Sequence, residues 1–116
     1  MNDLQLRLMR FSVSVSNHTD GLYKKPQLEP VVKQLNRSAS SVGANYSEAQ
    51  SASSKKDFHN KVRIALKEAR ESEYWLLFLY EKLQEDPFAK LVEEAVSIIK
   101  ILTTIARKTD PDEAHK

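Results

Sequence analysis

The chain has 116 residues, the length of one ordinary domain, and its 41% hydrophobic and 29% charged residues give a globular balance. Two glycines and four prolines are too few turn formers for a fold of many short strands. The absence of cysteine excludes disulfides, thiolate metal sites and cysteine nucleophiles, and it fits a reducing compartment. The net charge of +2 conceals an asymmetry, because residues 1–70 carry 12 Lys and Arg against 6 Asp and Glu, whereas residues 71–116 carry 6 against 10. A basic half of this kind can attract nucleic acid or an acidic partner.

No segment of the sequence predicts a leader or a membrane span. Arg7 and Arg10 interrupt the apolar residues that a signal peptide would need near the N-terminus. The longest apolar run, Tyr74 to Tyr80, falls well short of the ~18 residues of a spanning helix. We therefore expect a soluble, cytoplasmic protein with no membrane partner.

The first segment, residues 3–20, predicts a helix. Its apolar side chains recur at helical spacing at Leu4, Leu8, Phe11 and Val15. Around Val13 the apolar residues also alternate with serines, as they do in a strand, but a lone strand would have no partner elsewhere in the chain. Gly21 and the prolines at positions 26 and 30 then predict a connector.

The second segment predicts a helix from about residue 28 to residue 51. Its apolar residues follow alternating four- and three-residue steps at Leu28, Val32, Leu35, Ala39, Val42, Tyr46 and Ala49. Pro30 fits within the first turn, where its missing N–H breaks no hydrogen bond. Gly43 costs ~1 kcal/mol relative to Ala in a helix, so we expect a close helix approach there, either within the bundle or with another copy of the chain.

A third helix is expected to begin after Ser54, which reads as an N-cap with an acidic residue, Asp57, three positions later. Its predicted core face comprises Phe58, Val62, Ala65, Ala69, Leu76, Leu79 and Leu83. The run from Tyr74 to Tyr80 is apolar nearly all round, which predicts burial on more than one side.

Asp86 and Pro87 predict the end of the third helix and the start of a fourth, with Asp86 as N-cap and Pro87 as the first helical residue. The predicted core face of the fourth helix comprises Phe88, Leu91, Val92, Ala95, Ile98, Ile99, Leu102 and Ile105. Asp110-Pro111 should end it, leaving residues 111–116 as a polar C-terminal tail. Residues 1–110 therefore predict one all-α domain, an up-and-down antiparallel four-helix bundle.

A polar stripe lies one residue before the apolar seam of the second helix, and acids of the third helix are expected to face it. The predicted layer comprises Gln34, Arg37, Ser38, Ser41, Asn45, Glu48, Lys61, Glu68 and Glu71. With a turn near residues 52 and 53, equidistant residues meet, and the pairs are Arg37 with Glu68, Gln34 with Glu71, and Asn45 with Lys61. The favoured interpretation is a hydrogen-bonded layer that fixes helix register, and the alternative is a ligand site between the helices.

No arrangement typical of catalysis is present in the sequence. A di-iron bundle needs Glu-x-x-His pairs, and none occurs. There is no glycine-rich phosphate loop, and no serine has a His and an Asp placed to activate it. We therefore expect neither an enzyme nor a metal or cofactor site.

Basic residues of the third helix share one predicted face. They are Lys55, Lys56, Arg63, Lys67 and Arg70, called the basic ridge below. From Lys56 the steps of seven, four and three residues keep the ridge continuous, so it could follow a phosphate backbone. No aromatic residue is interleaved with these positions, which predicts binding by charge rather than by base stacking. The alternatives are an ordinary solvated helix face and a protein-interaction scaffold.

The pattern from residue 34 to residue 76 resembles a known family. Its matching positions are Gln34, Arg37-Ser38, Ser41, Ala44-Asn45, Glu48-Ala49, Asp57-Phe58, Lys61, Ala65, Glu68, Glu71 and Trp75. They resemble the bacterial four-helix-bundle family encoded in intervening sequences of 23S ribosomal RNA genes. The match is dense over this hairpin and looser over the flanking helices.

The resemblance implies the same antiparallel bundle and its assembly into a homo-pentamer. The family is also similar to the accessory protein of diversity-generating retroelements, a pentameric barrel whose basic surface engages nucleic acid and a reverse transcriptase. That likeness implies RNA or DNA, and a nucleic-acid-processing protein, as partners. The word ribosomal reflects the location of the genes, and a molecular function is not established for most of the family.

Overall fold

The computed structural model describes residues 1–112 and shows four long helices. They are α1 (Asp3–Thr19), α2 (Glu29–Ala49), α3 (Lys55–Leu83) and α4 (Asp86–Thr109). A short 3-10 helix, Asp20–Lys24, follows α1. The predicted first helix is confirmed, and the strand alternative for that segment is wrong. Of the predicted polar tail, residues 111–116, the last four lie outside the described residues.

The helices pack as an up-and-down antiparallel bundle, which confirms the predicted fold. Each helix packs against its neighbour in sequence, and α1 also contacts α4, which closes the bundle. Within residues 1–112 the diagonal pairs of helices, α1 with α3 and α2 with α4, do not pack directly against each other. The molecule measures 49 × 24 × 23 Å, and its long axis is set by α3, whose 29 residues span about 44 Å at 1.5 Å per residue.

One face of each helix supplies the core along the bundle axis. Its fully buried large side chains include Leu8, Val15, Val32, Leu35, Val42, Val62, Leu76, Leu79, Phe88, Ile98 and Leu102. The apolar spacing seen in the sequence therefore marks the buried face of every helix. In α4 this face turns slightly from the predicted one, because Ala106 is buried while Ile105 is only half-buried.

The helix starts follow capping chemistry in two of the four cases. The Asn2 side chain accepts a hydrogen bond from the Gln5 backbone N–H while the Gln5 side chain accepts from the Asn2 N–H, each at 2.8 Å. Ser54 caps α3 by accepting from the Asp57 N–H at 3.0 Å, as the sequence predicts. These bonds satisfy backbone donors that have no partner within the first turn of a helix.

The predicted cap of α4 is wrong by one residue. Asp86 is the first helical residue rather than the N-cap, and Glu85 precedes it with an extended backbone. The reason is local, because the Phe88 N–H donates to the Glu85 carbonyl at 3.1 Å and so closes the first turn one residue early. Gln84 ends α3 because it adopts the left-handed conformation, with φ 56°. Its backbone N–H donates to the Tyr80 carbonyl at 2.8 Å.

The prediction that the run from Tyr74 to Tyr80 is buried on more than one side is also wrong. Tyr74 is 61% exposed, Leu77 42% and Phe78 38%, whereas Leu76 and Leu79 are fully buried. The exposed residues lie on the side of α3 that faces away from the core, and no helix within residues 1–112 covers that side. An apolar composition all round a helix therefore does not by itself imply a second neighbour within the same chain.

Arg7 links helix α1 to α4. The Arg7 guanidinium donates to Glu94 through Nε at 3.0 Å and through Nη2 at 2.6 Å, and Nη2 also donates to Ser97 Oγ at 2.8 Å. A planar fork of this kind matches a carboxylate in a way that a lysine cannot. The Glu94 carboxylate raises the pKa of Arg7, chiefly through this hydrogen bond.

Gly43 permits the close approach of α1 to α2 that the sequence predicts. A Cβ added at this glycine would lie 3.4 Å from the Leu8 Cβ and 3.6 Å from the Leu8 carbonyl carbon. These separations are at the near edge of ordinary van der Waals contact, so one methyl group fits and a larger side chain does not.

We predict that Gly43→Ala leaves the fold intact and raises the free energy of unfolding by up to about 1 kcal/mol, the helix-propensity difference between the two residues. Gly43→Leu should instead lower it by about 1–3 kcal/mol, because the longer side chain must displace α1. Urea unfolding followed by circular dichroism measures both changes. An equal, small effect of the two substitutions would contradict the close contact with Leu8.

Candidate functional site

A branched ion pair between α2 and α3 forms the centre of the polar layer. Arg37 Nη1 donates to Glu68 Oε2 and Arg37 Nη2 to Glu71 Oε2, both at 2.8 Å. The Glu68 side chain is only 7% exposed, whereas that of Arg37 is 48% exposed. The predicted pairing of Arg37 with Glu68 is thus present, and Glu71 joins it in place of the predicted pair with Gln34.

The arginine compensates two carboxylates at once. Their hydrogen bonds raise the pKa of Arg37, and the bond to Glu71 is the larger cause. Glu71 Oε2 also accepts a hydrogen bond from Trp75 Nε1 at 3.2 Å. The Arg37 fork therefore orders Glu68 directly and fixes Trp75 through Glu71.

A second buried contact in the layer links two serines. Ser38 Oγ and Ser72 Oγ lie 2.9 Å apart, and both side chains are fully buried. Each hydroxyl also lies within hydrogen-bond distance of a carbonyl of its own helix, that of Leu35 at 3.0 Å for Ser38 and that of Glu68 at 2.9 Å for Ser72. Because a hydroxyl has one proton, one serine donates to the other, which donates to its own carbonyl. Sequence reasoning found Ser38 and missed Ser72, although its position four residues after Glu68 on the inner face of α3 marks it as a candidate.

The outer members of the layer pair differently from the prediction. Lys61 Nζ contacts Glu48 Oε2 at 3.0 Å rather than Asn45, and this carboxylate raises the Lys61 pKa. Asn45 instead donates to the Ser41 carbonyl of its own helix at 2.9 Å. The predicted pair of Asn45 with Lys61 is therefore wrong, because an acid one turn along α2 is the stronger partner for the ammonium.

The hydrogen bonding of the layer supports a structural role. Within residues 1–112 every buried side-chain nitrogen and oxygen has a hydrogen-bond partner. A ligand site between these helices would need polar atoms directed at the ligand, and the buried ones here are directed at each other. Over the same residues no three His, Asp or Glu side chains come together as metal ligands would.

The basic ridge lies on the opposite side of α3 from the core, and all five of its side chains are exposed. Within the described residues none of them forms an ion pair, whereas Arg7, Lys33, Arg37 and Lys61 each have a carboxylate within 3.0 Å. At a rotation of about 100° per residue, Lys56, Arg63, Lys67 and Arg70 fall within about 60° of one another. These four residues therefore lie along one strip of positive charge, and Lys55 lies to one side of its N-terminal end.

Helix α4 adds a basic residue that sequence reasoning missed. Arg107 is exposed and lines a groove of about 510 Å³ between α3 and α4, together with Arg63, Lys67 and Arg70. Asp110 is the acidic side chain at the edge of this groove. Only the pairing of the third and fourth helices brings Arg107 to the ridge, so no local spacing in the sequence could indicate it.

These features define the class of the protein, an antiparallel four-helix bundle with a structural polar layer between α2 and α3 and a basic outer face. The chain belongs to the family of 23S rRNA-intervening sequence proteins, whose model matches residues 3–104. The family inferred from residues 34–76 is therefore confirmed, and the match extends over all four helices.

A solved relative has the same fold. The crystal structure of a protein with unknown function from the S23 ribosomal protein family of Bacteroides thetaiotaomicron VPI-5482 superposes with a TM-score of 0.82 at 34% sequence identity. The alignment covers 89% of this chain and 97% of that one. Among curated proteins, none matches the chain in sequence. Across the described helices, none is long and apolar enough to cross a membrane.

We predict that Arg37→Ala lowers the free energy of unfolding by about 1–3 kcal/mol, because it leaves the nearly buried Glu68 without its cation. Lys33→Ala is the matched control on the same helix, since it removes an exposed pair with Glu29 and should leave the free energy of unfolding nearly unchanged. Urea unfolding of both variants measures the difference.

A double-mutant cycle separates this pair from general effects of truncation. The loss in Arg37→Ala combined with Glu68→Gln should be smaller than the sum of the two single losses by at least about 0.5 kcal/mol. Full additivity would show that the two side chains do not stabilise one another.

Proposed function

We propose that this protein binds RNA or DNA through the basic ridge by charge, without catalysing a reaction. The observation that carries the proposal is the row of exposed cations on the outer face of α3 that have no ion pair within residues 1–112. A phosphate backbone supplies regularly spaced negative charges to such a row and releases its own counterions on binding.

The dimensions of the ridge suit a run of phosphates. Lys56 and Arg70 are 14 residues apart, which is about 21 Å along a helix. Arg107 widens the charged strip across the groove toward α4. The strip stands on a helix whose inner face is buried in the core, so the backbone that carries its cations does not have to be ordered on binding.

The sorting of charge in the bundle supports this use of the ridge. The cations between helices are compensated by acids, and no acid of residues 1–112 forms an ion pair with a ridge cation. A surface chosen only for solubility would mix both signs, whereas this face concentrates one sign. We expect the protein to act in the cytoplasm, in keeping with its lack of cysteine.

We also propose that copies of the chain assemble into a homo-oligomer. The family resemblance implies a homo-pentamer. Exposed apolar side chains on α1 support an assembly surface, because Leu6, Met9 and Val13 are 36%, 49% and 52% exposed at helical spacing.

The same apolar stripe on α1 favours the second candidate function, a protein-interaction scaffold that docks another protein, such as a nucleic-acid-processing enzyme. A pull-down that survives nuclease treatment would favour the scaffold.

We predict that reversing Lys56, Arg63 and Lys67 to Glu abolishes binding to a labelled oligonucleotide while leaving helicity and unfolding midpoint nearly unchanged, because all three side chains are exposed. The control reverses Lys24, Lys25 and Lys100, which are exposed elsewhere and carry the same total charge. Fluorescence anisotropy at low salt measures both. Unchanged binding in the ridge variant, or an equal loss in the control, would contradict a localised site.

A further inference from the structure

Aromatic and apolar side chains continue the basic ridge along α3. Tyr74 follows Arg70 by four residues and Leu77 follows Tyr74 by three, so the spacing of the ridge extends unbroken past its last cation. At about 100° per residue, Tyr74 points within about 40° of Arg63, Lys67 and Arg70. The outer face of α3 is therefore basic over its first half and aromatic over its second.

The aromatic half is both exposed and ordered. Tyr74 and Phe78 each pack edge-on against Trp75, with ring centroids 5.0 and 6.1 Å apart and interplanar angles of 81° and 72°. Trp75 is held in turn by its hydrogen bond to Glu71, which Arg37 fixes. The exposed rings thus stand on a support that reaches back to the polar layer.

We propose that α3 binds single-stranded nucleic acid, with phosphates along the basic ridge and unpaired bases stacked on Tyr74 and Phe78. This inference rests on the proposed function and names its substrate class. Combining a cationic track with aromatic platforms is how proteins hold single strands without reading sequence, since every base has a π-face. It replaces the sequence-based expectation that no stacking platform accompanies the ridge.

The chemistry of the aromatic half favours a single strand over a duplex. Bases in a duplex are stacked on each other and cannot reach a side-chain ring, whereas a duplex can still lie on the cations. Tyr74, Leu77 and Phe78 line a shallow depression of about 420 Å³ whose far edge carries Glu81 and Lys82. The opposite charges of that edge offset each other, so the aromatic half presents rings without the net positive charge of the ridge.

The test compares single strands with a duplex on the full-length protein. Fluorescence anisotropy would measure affinities for labelled 20-nucleotide oligo(U), oligo(dT) and a 20-base-pair DNA duplex.

Tyr74→Ala should weaken single-strand binding about 5- to 100-fold, the usual contribution of one stacked base, and leave the duplex affinity within about twofold. Tyr74→Phe should keep wild-type binding because it retains the ring, and Tyr23→Ala, an exposed tyrosine off α3, is the control. The two single-stranded probes show whether RNA or DNA is preferred.

The single tryptophan gives a second readout. Because Trp75 contacts both exposed rings, oligo(dT) should quench its fluorescence while the duplex leaves it largely unchanged. Unchanged single-strand affinity in Tyr74→Ala, or an equal loss for strand and duplex, would overturn stacking. If the ridge reversal still abolishes binding in that case, the proposed function stands alone. A variant that changes only the oligomeric mass by light scattering would instead assign the aromatic half to contact between copies.

Discussion

The fork of Arg37 between Glu68 and Glu71 is the contact on which the polar pairing of α2 with α3 and the support of the exposed aromatic rings depend. It joins α2 to α3 near the middle of both helices and compensates a carboxylate that is almost buried. Its second arm fixes Glu71, which accepts from Trp75, and Trp75 supports the exposed rings of α3. Pairs of this kind contribute more to register than to net stability, because the desolvation of a buried carboxylate offsets much of the attraction.

Charge in the bundle is divided by position. Cations that lie between helices form ion pairs with acids of the neighbouring helix. Arg7 pairs with Glu94 and Lys61 pairs with Glu48, and these pairs link adjacent helices. Cations on the outer face of α3 lie beyond the reach of those acids within the described residues. One helix therefore serves two purposes, since its inner face is committed to packing and its outer face can be used for binding without loss of the fold.

Local chemistry explains what the sequence predicted correctly. Apolar spacing located all four helices and Ser54 identified the start of α3, because each depends only on residues within a turn or two. The layer residues were found for the same reason. Gly43 indicated a close helix approach, and the structure identifies the approaching helix as α1. The partners of the layer residues were harder to predict. Equidistance from the turn assigns one partner to each residue, whereas Arg37 pairs with two acids and Lys61 pairs with Glu48.

Errors arose where the answer depended on distant parts of the chain or on fine backbone geometry. The exposure of Tyr74 depends on which side of α3 its neighbours leave uncovered, and Arg107 reaches the ridge only when α4 packs against α3. The N-cap of α4 is Glu85 rather than the predicted Asp86 because of a single backbone hydrogen bond, which composition does not encode. The helices and the basic ridge could thus be predicted from the sequence, whereas the surfaces formed between helices could not.

The dependence of binding on salt tests the central claim, that the exposed cations of α3 contact phosphates. Single strands release about 0.7 counterions for each phosphate neutralised, so five ridge cations predict a slope of about −3.5 for the logarithm of the association constant against that of salt concentration. A slope of that size, reduced by about 0.7 when Arg63 is changed to Ala, is the result we predict. A slope near zero, or one that Arg63→Ala leaves unchanged, would contradict it.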